Sequence, residues 1–305
     1  MKIKLTFLFS ILLSQNLFAQ IEPIYGLYRF NSLVINPAQA GSSANTQFNC
    51  VSRWQWSQLD GAPNTNAFSA NTPFKSNTGF GATIVSDNIG PVRDLYIGLD
   101  YGYHIKLNKS WKLSAGLRLG IINHSVNLTS ISTVDQNDLA FKTNLNTGYR
   151  VNPGLGFLLT GKQTYFGISV PRILKYNYGS IQNISQVKDV NHYFIYGGMN
   201  KRLNTDIVFR PSVNINFISD VPINVDLNAT ITLKDFLDLG IMYRHNDAIG
   251  MIFGYQFKSN FYAGYCIEYP VSLLNKANFM TNEFALRYTI GNFENKKILT
   301  PRYFN

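Results

Sequence analysis

Charge is scarce in this 305-residue sequence: Asp, Glu, Lys and Arg together make up 14% of it, against roughly 25% in an average soluble domain. What charge there is leans basic, +10 overall, yet no five like charges run together. Solvated lysines and arginines fit that spread better than a nucleic-acid groove. Cysteine is nearly absent. Cys50 and Cys266 stand far apart, too sparse for a disulfide framework. Beyond the amino terminus no apolar run reaches eighteen residues, so spanning helices are excluded. His-x-x-x-His, Gly-x-Ser-x-Gly and Cys-x-x-Cys spacings are missing as well, and with them any sign of metal or triad chemistry. Gly79-Phe80-Gly81 and Gly154-Leu155-Gly156 sit inside alternating stretches with no helix after them, so they are not dinucleotide loops. They read instead as room for close backbone approach. No catalytic residue, cofactor, metal or small-molecule substrate is expected.

The first nineteen residues form a leader. Lys2 and Lys4 precede an apolar stretch from Leu5 to Leu13, and Leu17-Phe18-Ala19 offers cleavage before Gln20. Removing the leader lowers the charge to +8, because it takes two lysines and no acid. No cysteine follows the cleavage point, so a lipoprotein anchor is not expected.

Aromatics are plentiful, with 18 Tyr and 22 Phe. From Asp94 to Leu107 the odd positions Leu95, Ile97, Leu99, Tyr101, Tyr103, Ile105 and Leu107 are all apolar or aromatic. The even positions are Asp94, Tyr96, Gly98, Asp100, Gly102, His104 and Lys106. Trp111 to Ile121 repeats the pattern, and Asn108-Lys109-Ser110 between them suits a hairpin turn. Asp100 and His104 share a face but lie about 13 Å apart along a strand, too far to pair.

Similar stretches continue to the carboxyl end and total fourteen strands. They lie near 44–58, 64–74, 79–86, 94–107, 111–123, 150–159, 164–170, 191–202, 206–217, 223–232, 236–244, 248–257, 261–269 and 282–290. Most match the roughly 9–11 residues that cross a bilayer as a tilted strand. Every second connection is short, while the intervening set holds the three long ones, 124–149, 171–190 and 270–281. That asymmetry marks an outer-membrane barrel with both termini in the periplasm and the long loops outside. A soluble sandwich would turn the apolar face inward, but the other face is polar and charge is too scarce to cover a surface. The polar face therefore reads as a wet lumen and the apolar face as the lipid side. Trp54, Trp56 and Trp111 fit an aromatic girdle.

The fold class expected is all-β: a transmembrane antiparallel β-barrel of about fourteen strands over 44–291. An amino-terminal periplasmic or plug segment, 20–43, precedes it and a periplasmic tail, 292–305, follows. The segment from Tyr25 to Gly41 mixes aromatics with an Asn36-Pro37 turn. It reads either as a first strand and hairpin or as a segment sealing the periplasmic mouth or touching a partner.

Here the sequence resembles a known family. Phe30-Asn31, Ile35-Asn36-Pro37-Ala38 and Gly41 look like the opening motif of the PorP/SprF family of Bacteroidota. Arg53, Gln55-Trp56 and Asp60-Gly61-Ala62-Pro63 are similar to its second signature. Gly79-Phe80-Gly81, Asp87 and Ile89-Gly90-Pro91 are similar to its third. Tyr243-Arg244, Gly254-Tyr255 and Pro301-Arg302-Tyr303-Phe304 also match. The sequence departs at 278–283, where Asn278-Phe279-Met280-Thr281-Asn282-Glu283 stands for a Gly-Ser-His-Glu-like turn and leaves only Glu283 in register.

The resemblance implies an outer-membrane component of type IX secretion and gliding motility that attaches or displays a large secreted adhesin. Its partners would be outer-membrane lipid and that adhesin or other secretion components. The motif residues expected to matter are Asn31, Asn36, Pro37, Gly41, Arg53, Trp56, Gly61, Pro63, Asp87 and Gly90. Asn31, Asn36, Arg53, Trp56 and Asp87 stand out, since such groups need partners when buried. The alternative is a passive diffusion porin.

Overall fold

The computed structural model describes residues 24–131, 141–176, 190–219, 221–257, 260–271 and 279–291. The leader 1–19, residues 20–23 and the tail 292–305 lie outside the described residues, and so does Pro301-Arg302-Tyr303-Phe304.

Strict alternation suits a strand because successive side chains point to opposite faces. Each alternating stretch forms one. The segments are β1 (Thr46–Trp54), β2 (Asn64–Lys75), β3 (Thr78–Ile89), β4 (Val92–Lys106), β5 (Lys112–Val126), β6 (Leu145–Val151), β7 (Gly154–Thr160) and β8 (Thr164–Val170). They continue as β9 (His192–Met199), β10 (Lys201–Arg202), β11 (Ile207–Ile218), β12 (Asn224–Leu233), β13 (Leu237–Arg244), β14 (Ala248–Phe257), β15 (Phe261–Pro270) and β16 (Thr281–Ile290). β6 and β7 are one stave interrupted at Asn152-Pro153, where proline cannot donate to the ladder. β10 likewise continues β9 past Asn200. The result is fourteen staves, as expected from the sequence.

Neighbours in sequence pair antiparallel, β16 pairs with β1, and β9 pairs with β11, so the sheet closes on itself. Closure leaves no sheet edge in the membrane, where an unpaired backbone group costs several kcal/mol, on the order given by transfer data. The two faces are inverted relative to a soluble protein. Leu117 is 66% exposed on the outside, while its neighbour Arg118 is 2% exposed on the inside. Leu99, Tyr101, Ile241, Met251 and Phe284 share the outer face, whereas Asp100, Asp226, Asp238 and Glu283 are buried within. No helix among the described residues is long and apolar enough to cross a membrane.

The two mouths differ. One carries the short turns, at 76–77, 107–111, 161–163, 203–206, 234–236 and 258–260. The other carries 55–63, 90–91, 127–144, 171–191, 219–223, 245–247 and 271–280, including all three long connections. Several expected boundaries shift. β3 and β4 do not stop at 86 and 94 but run to Ile89 and from Val92, turning at Gly90-Pro91. Gly90 takes φ +54°, which permits the tight reversal. Polar residues such as Asp87, Asn88 and Arg93 look like loop by composition, yet they pair in register across β3 and β4. For the same reason the loop expected at 124–149 contracts to 127–144. Exposed Trp54 stands near the long-loop mouth and exposed Trp111 near the short-turn mouth, as an interfacial girdle requires.

Candidate functional site

The lumen is filled by the chain's own amino-terminal stretch, so the wet interior expected for the polar face is corrected. Residues 24–45 contain no strand. They make an α-turn at Ser32–Ile35 and a 3-10 turn at Pro37–Gln39, and most of them, including all of 35–42, are buried inside the barrel. The hairpin reading of this stretch is therefore set aside. Its local form follows from the residues. The Asn36 side chain accepts from Ala38 N at 2.8 Å and caps the 3-10 turn, and Pro37 supplies a first helical residue whose missing N–H is no loss.

A buried non-strand backbone must find hydrogen-bond partners. The wall supplies them along its height. Near the long-loop mouth, Glu283 accepts from Gly26 N at 2.8 Å and Leu27 N at 2.9 Å, and Asn228 donates to Gly26 O. Arg287 donates to Phe30 O, while Arg118 donates to Leu33 O and Val34 O. Ser169 donates to Ile35 O. Toward the short-turn mouth, Asn71 accepts from Gly41 N and donates to Gln39 O. Side chains of the segment are held too. Tyr28 donates to Ser212 Oγ at 2.8 Å. Phe30 stacks on Tyr262 with ring centroids 4.7 Å apart.

At several points the inner segment packs so closely on the wall that only glycine fits there. A Cβ added at Gly79 would lie 2.1 Å from Gly41 Cα, one at Gly102 2.1 Å from Ala40 O, and one at Gly116 2.1 Å from Ala38 N. At Gly156 it would meet Asn36 Oδ1 at 2.1 Å. The glycines of Gly79-Phe80-Gly81 and Gly154-Leu155-Gly156 thus include two of these contact points.

A buried ionic cluster sits beside Gly26. Arg53 reaches Glu268 at 2.8 Å and Glu283 at 3.0 Å, and Arg244 reaches Glu268 at 2.9 Å and Asp226 at 2.7 Å. Three carboxylates face two guanidinium groups, and the Gly26 and Leu27 amides donate to the third carboxylate. A second pair, Asp100 with Arg118, holds the middle of the lumen, where Arg118 also grips the inner segment. The full set was not legible as a site. Asp226, Glu268 and Arg287 lie in unremarkable strand sequence, and only the polar parity of their strands pointed inward.

The ten motif residues divide into two groups. Asn31 (accepting from Ser69 Oγ at 2.6 Å), Asn36, Pro37 and Gly41 belong to the inner segment. Asn36 also donates to Phe157 O and Tyr196 Oη, both at 3.0 Å. Arg53 joins this group from β1. The other group gathers at the long-loop mouth. Gly90 N donates to Gly61 O at 2.8 Å, Pro63 O accepts from Gln55 N, and Asp87 accepts from Thr65 Oγ1 at 2.6 Å. Gly61 takes φ +74° and Trp56 φ +49°, with Trp56 N donating to Thr281 Oγ1. The left-handed region is uncommon for a tryptophan. Cys50 faces outward and Cys266 faces the lumen, so the two do not meet.

The Type IX secretion system membrane protein PorP/SprF family matches residues 17–288. The chain belongs to the PorP/SprF family. As a PorP/SprF protein it is an outer-membrane β-barrel of type IX secretion, with its apolar wall against lipid. Among solved structures it is similar to the CymD monoaromatic hydrocarbon channel, with a TM-score of 0.51 and 10% identity over 86% of this chain and 93% of that one. It is similar also to the TodX deltaS2S3 mutant monoaromatic hydrocarbon channel, with a TM-score of 0.50 and 11% identity over 85% of this chain and 92% of that one. At such identity the likeness concerns the fold. No curated protein matches the chain.

Proposed function

We propose that this PorP/SprF barrel is a closed docking platform that supports type IX secretion and gliding by attaching or displaying a large secreted surface protein, in the outer membrane of a bacterium of the Bacteroidota. On this reading residues 1–19 are an export leader, the inner segment is a plug, the long-loop mouth faces outward and the short turns face the periplasm. The observation that carries the reading is the occupied lumen. A wall bonded along its height to residues 24–43 leaves no wide aqueous path, so the work falls to the mouths.

The motif residues take different roles accordingly. Asn31, Asn36, Pro37 and Gly41 hold the plug because they lie within the inner segment, and Arg53 because it bonds the Glu283 that clamps that segment's start. Trp56, Gly61, Pro63, Asp87 and Gly90, at the long-loop mouth, are the group assigned to partner contact, with the exposed Leu59 beside them. Nothing in this role calls for an enzymatic step.

Two measurements test the proposal. Purified barrel in planar bilayers should show no steady wide conductance; an open pore would favour the diffusion-porin alternative. Cross-linking in the native outer membrane followed by capture of the barrel should recover a secretion component or a surface adhesin, and recovery of neither would sink the docking role.

A further inference from the structure

From the course of the inner segment we infer that the amino-terminal end of the mature chain emerges at the long-loop mouth, the end opposite the one where β1 begins. The segment runs lengthwise. Its later part lies near the short-turn mouth: Gly41 packs on Gly79, Ala40 on Gly102, and Lys112, the first residue of β5, donates to Ser42 O at 3.4 Å. The start of the segment lies at the other end. Arg244 donates to Ile24 O at 3.4 Å, and Arg244 is the last residue of β13 before the 245–247 turn. Gly26 and Leu27 are held by Glu283, the third residue of β16 from that mouth, and Glu283 shares Arg53 with Glu268, which lies equally near the end of β15. Strand rise places that whole cluster within about 10 Å of the long-loop ends of the staves.

Chain length then decides the direction. If cleavage leaves Gln20 first, residues 20–23 span at most about 14 Å when fully extended. A wall of about ten residues, tilted roughly 40°, stands about 25 Å tall. The path back to the short-turn mouth is also occupied, since Tyr25, Leu27, Tyr28 and Leu33 are buried in the lumen. The amino end and residue 291 therefore lie at opposite mouths, which departs from the expectation of both termini in the periplasm. Combined with the outward orientation proposed above, on which this step rests, the amino end joins the surface offered to extracellular partners.

Short epitopes test this in full-length protein expressed in the native host. One is inserted between Gln20 and Ile21, one within 132–140 in the long loop, and one between Asn204 and Thr205 in a short turn. Antibody access is compared on intact and permeabilised cells, with heat-modifiable mobility showing that each barrel has folded. The first two epitopes should respond alike on intact cells, and the third only after permeabilisation. An amino-terminal epitope that behaves like the 204–205 one while the loop epitope is reached from outside would overturn the inference and leave the orientation standing. If the first two both need permeabilisation and the third does not, the shared mouth holds and the outward orientation fails. A variant carrying Ile21→Cys and Cys50→Ser, treated with a membrane-impermeant maleimide, repeats the comparison without an inserted epitope; labelling that follows the loop epitope supports the inference, and labelling that follows the 204–205 epitope counts against it.

Discussion

Gly41 and Gly79 lie backbone to backbone inside the barrel, each placed where a Cβ on the other would fall 2.1 to 2.4 Å from an α-carbon. Gly41 also takes φ +71°, so two independent constraints demand glycine there. Gly79→Ala should push the inner segment off β3. Overpacking of this kind typically costs about 1–3 kcal/mol, and the shift should appear as a lower urea midpoint for the folded, heat-modifiable band. An unchanged midpoint would mean the contact is looser than described.

Glu283 ties the start of the inner segment to the wall through two amides and Arg53. Glu283→Ala leaves a buried guanidinium short of a partner and two amides unsatisfied, a loss on the order of 3–5 kcal/mol by analogy with broken buried pairs. Glu283→Gln keeps an acceptor and should fall between wild type and Ala. Equal stability of all three, read by denaturant titration in detergent, would remove the clamp from the account.

Deleting residues 24–43 should convert the closed barrel into a conducting one. The measurement is single-channel recording of protein that still shows heat-modifiable mobility. Persistent silence in a correctly folded deletion protein would show that something else closes the lumen.

Leu117 and Arg118 are adjacent but face opposite media. Leu117→Lys places a charge on the lipid face near the middle of the wall and should cost about 2–4 kcal/mol in vesicle folding assays. Ser125→Lys, toward the long-loop end of β5, should cost about 0–1 kcal/mol by the same depth rule. Equal costs would contradict the assignment of the faces.

At the rim, Trp56→Ala and Asp87→Asn should reduce capture of a surface partner in the cross-linking assay while the barrel keeps its heat-modifiable band. Undiminished capture by both variants would move the contact away from the second and third motifs.

Period-two alternation was enough to determine the barrel, its strand count and the face each side chain presents, because the alternation of side-chain direction along a strand is a local property and lipid demands an apolar outer wall. Loop lengths likewise separated the two mouths. Strand ends were less legible, since Asp87, Asn88 and Arg93 carry loop-like composition but complete a ladder that only the partner strand supplies. What fills the lumen was decided by tertiary structure. The polar parity of Asp100, Arg118, Glu268 and Glu283 suits water as well as a bonded chain. The choice rests on contacts between residues hundreds of positions apart, such as Glu283 with Gly26. The same holds for Gly79, Gly102, Gly116 and Gly156. The sequence showed them as small residues on the inner face, and only the folded barrel shows the backbone that needs the space.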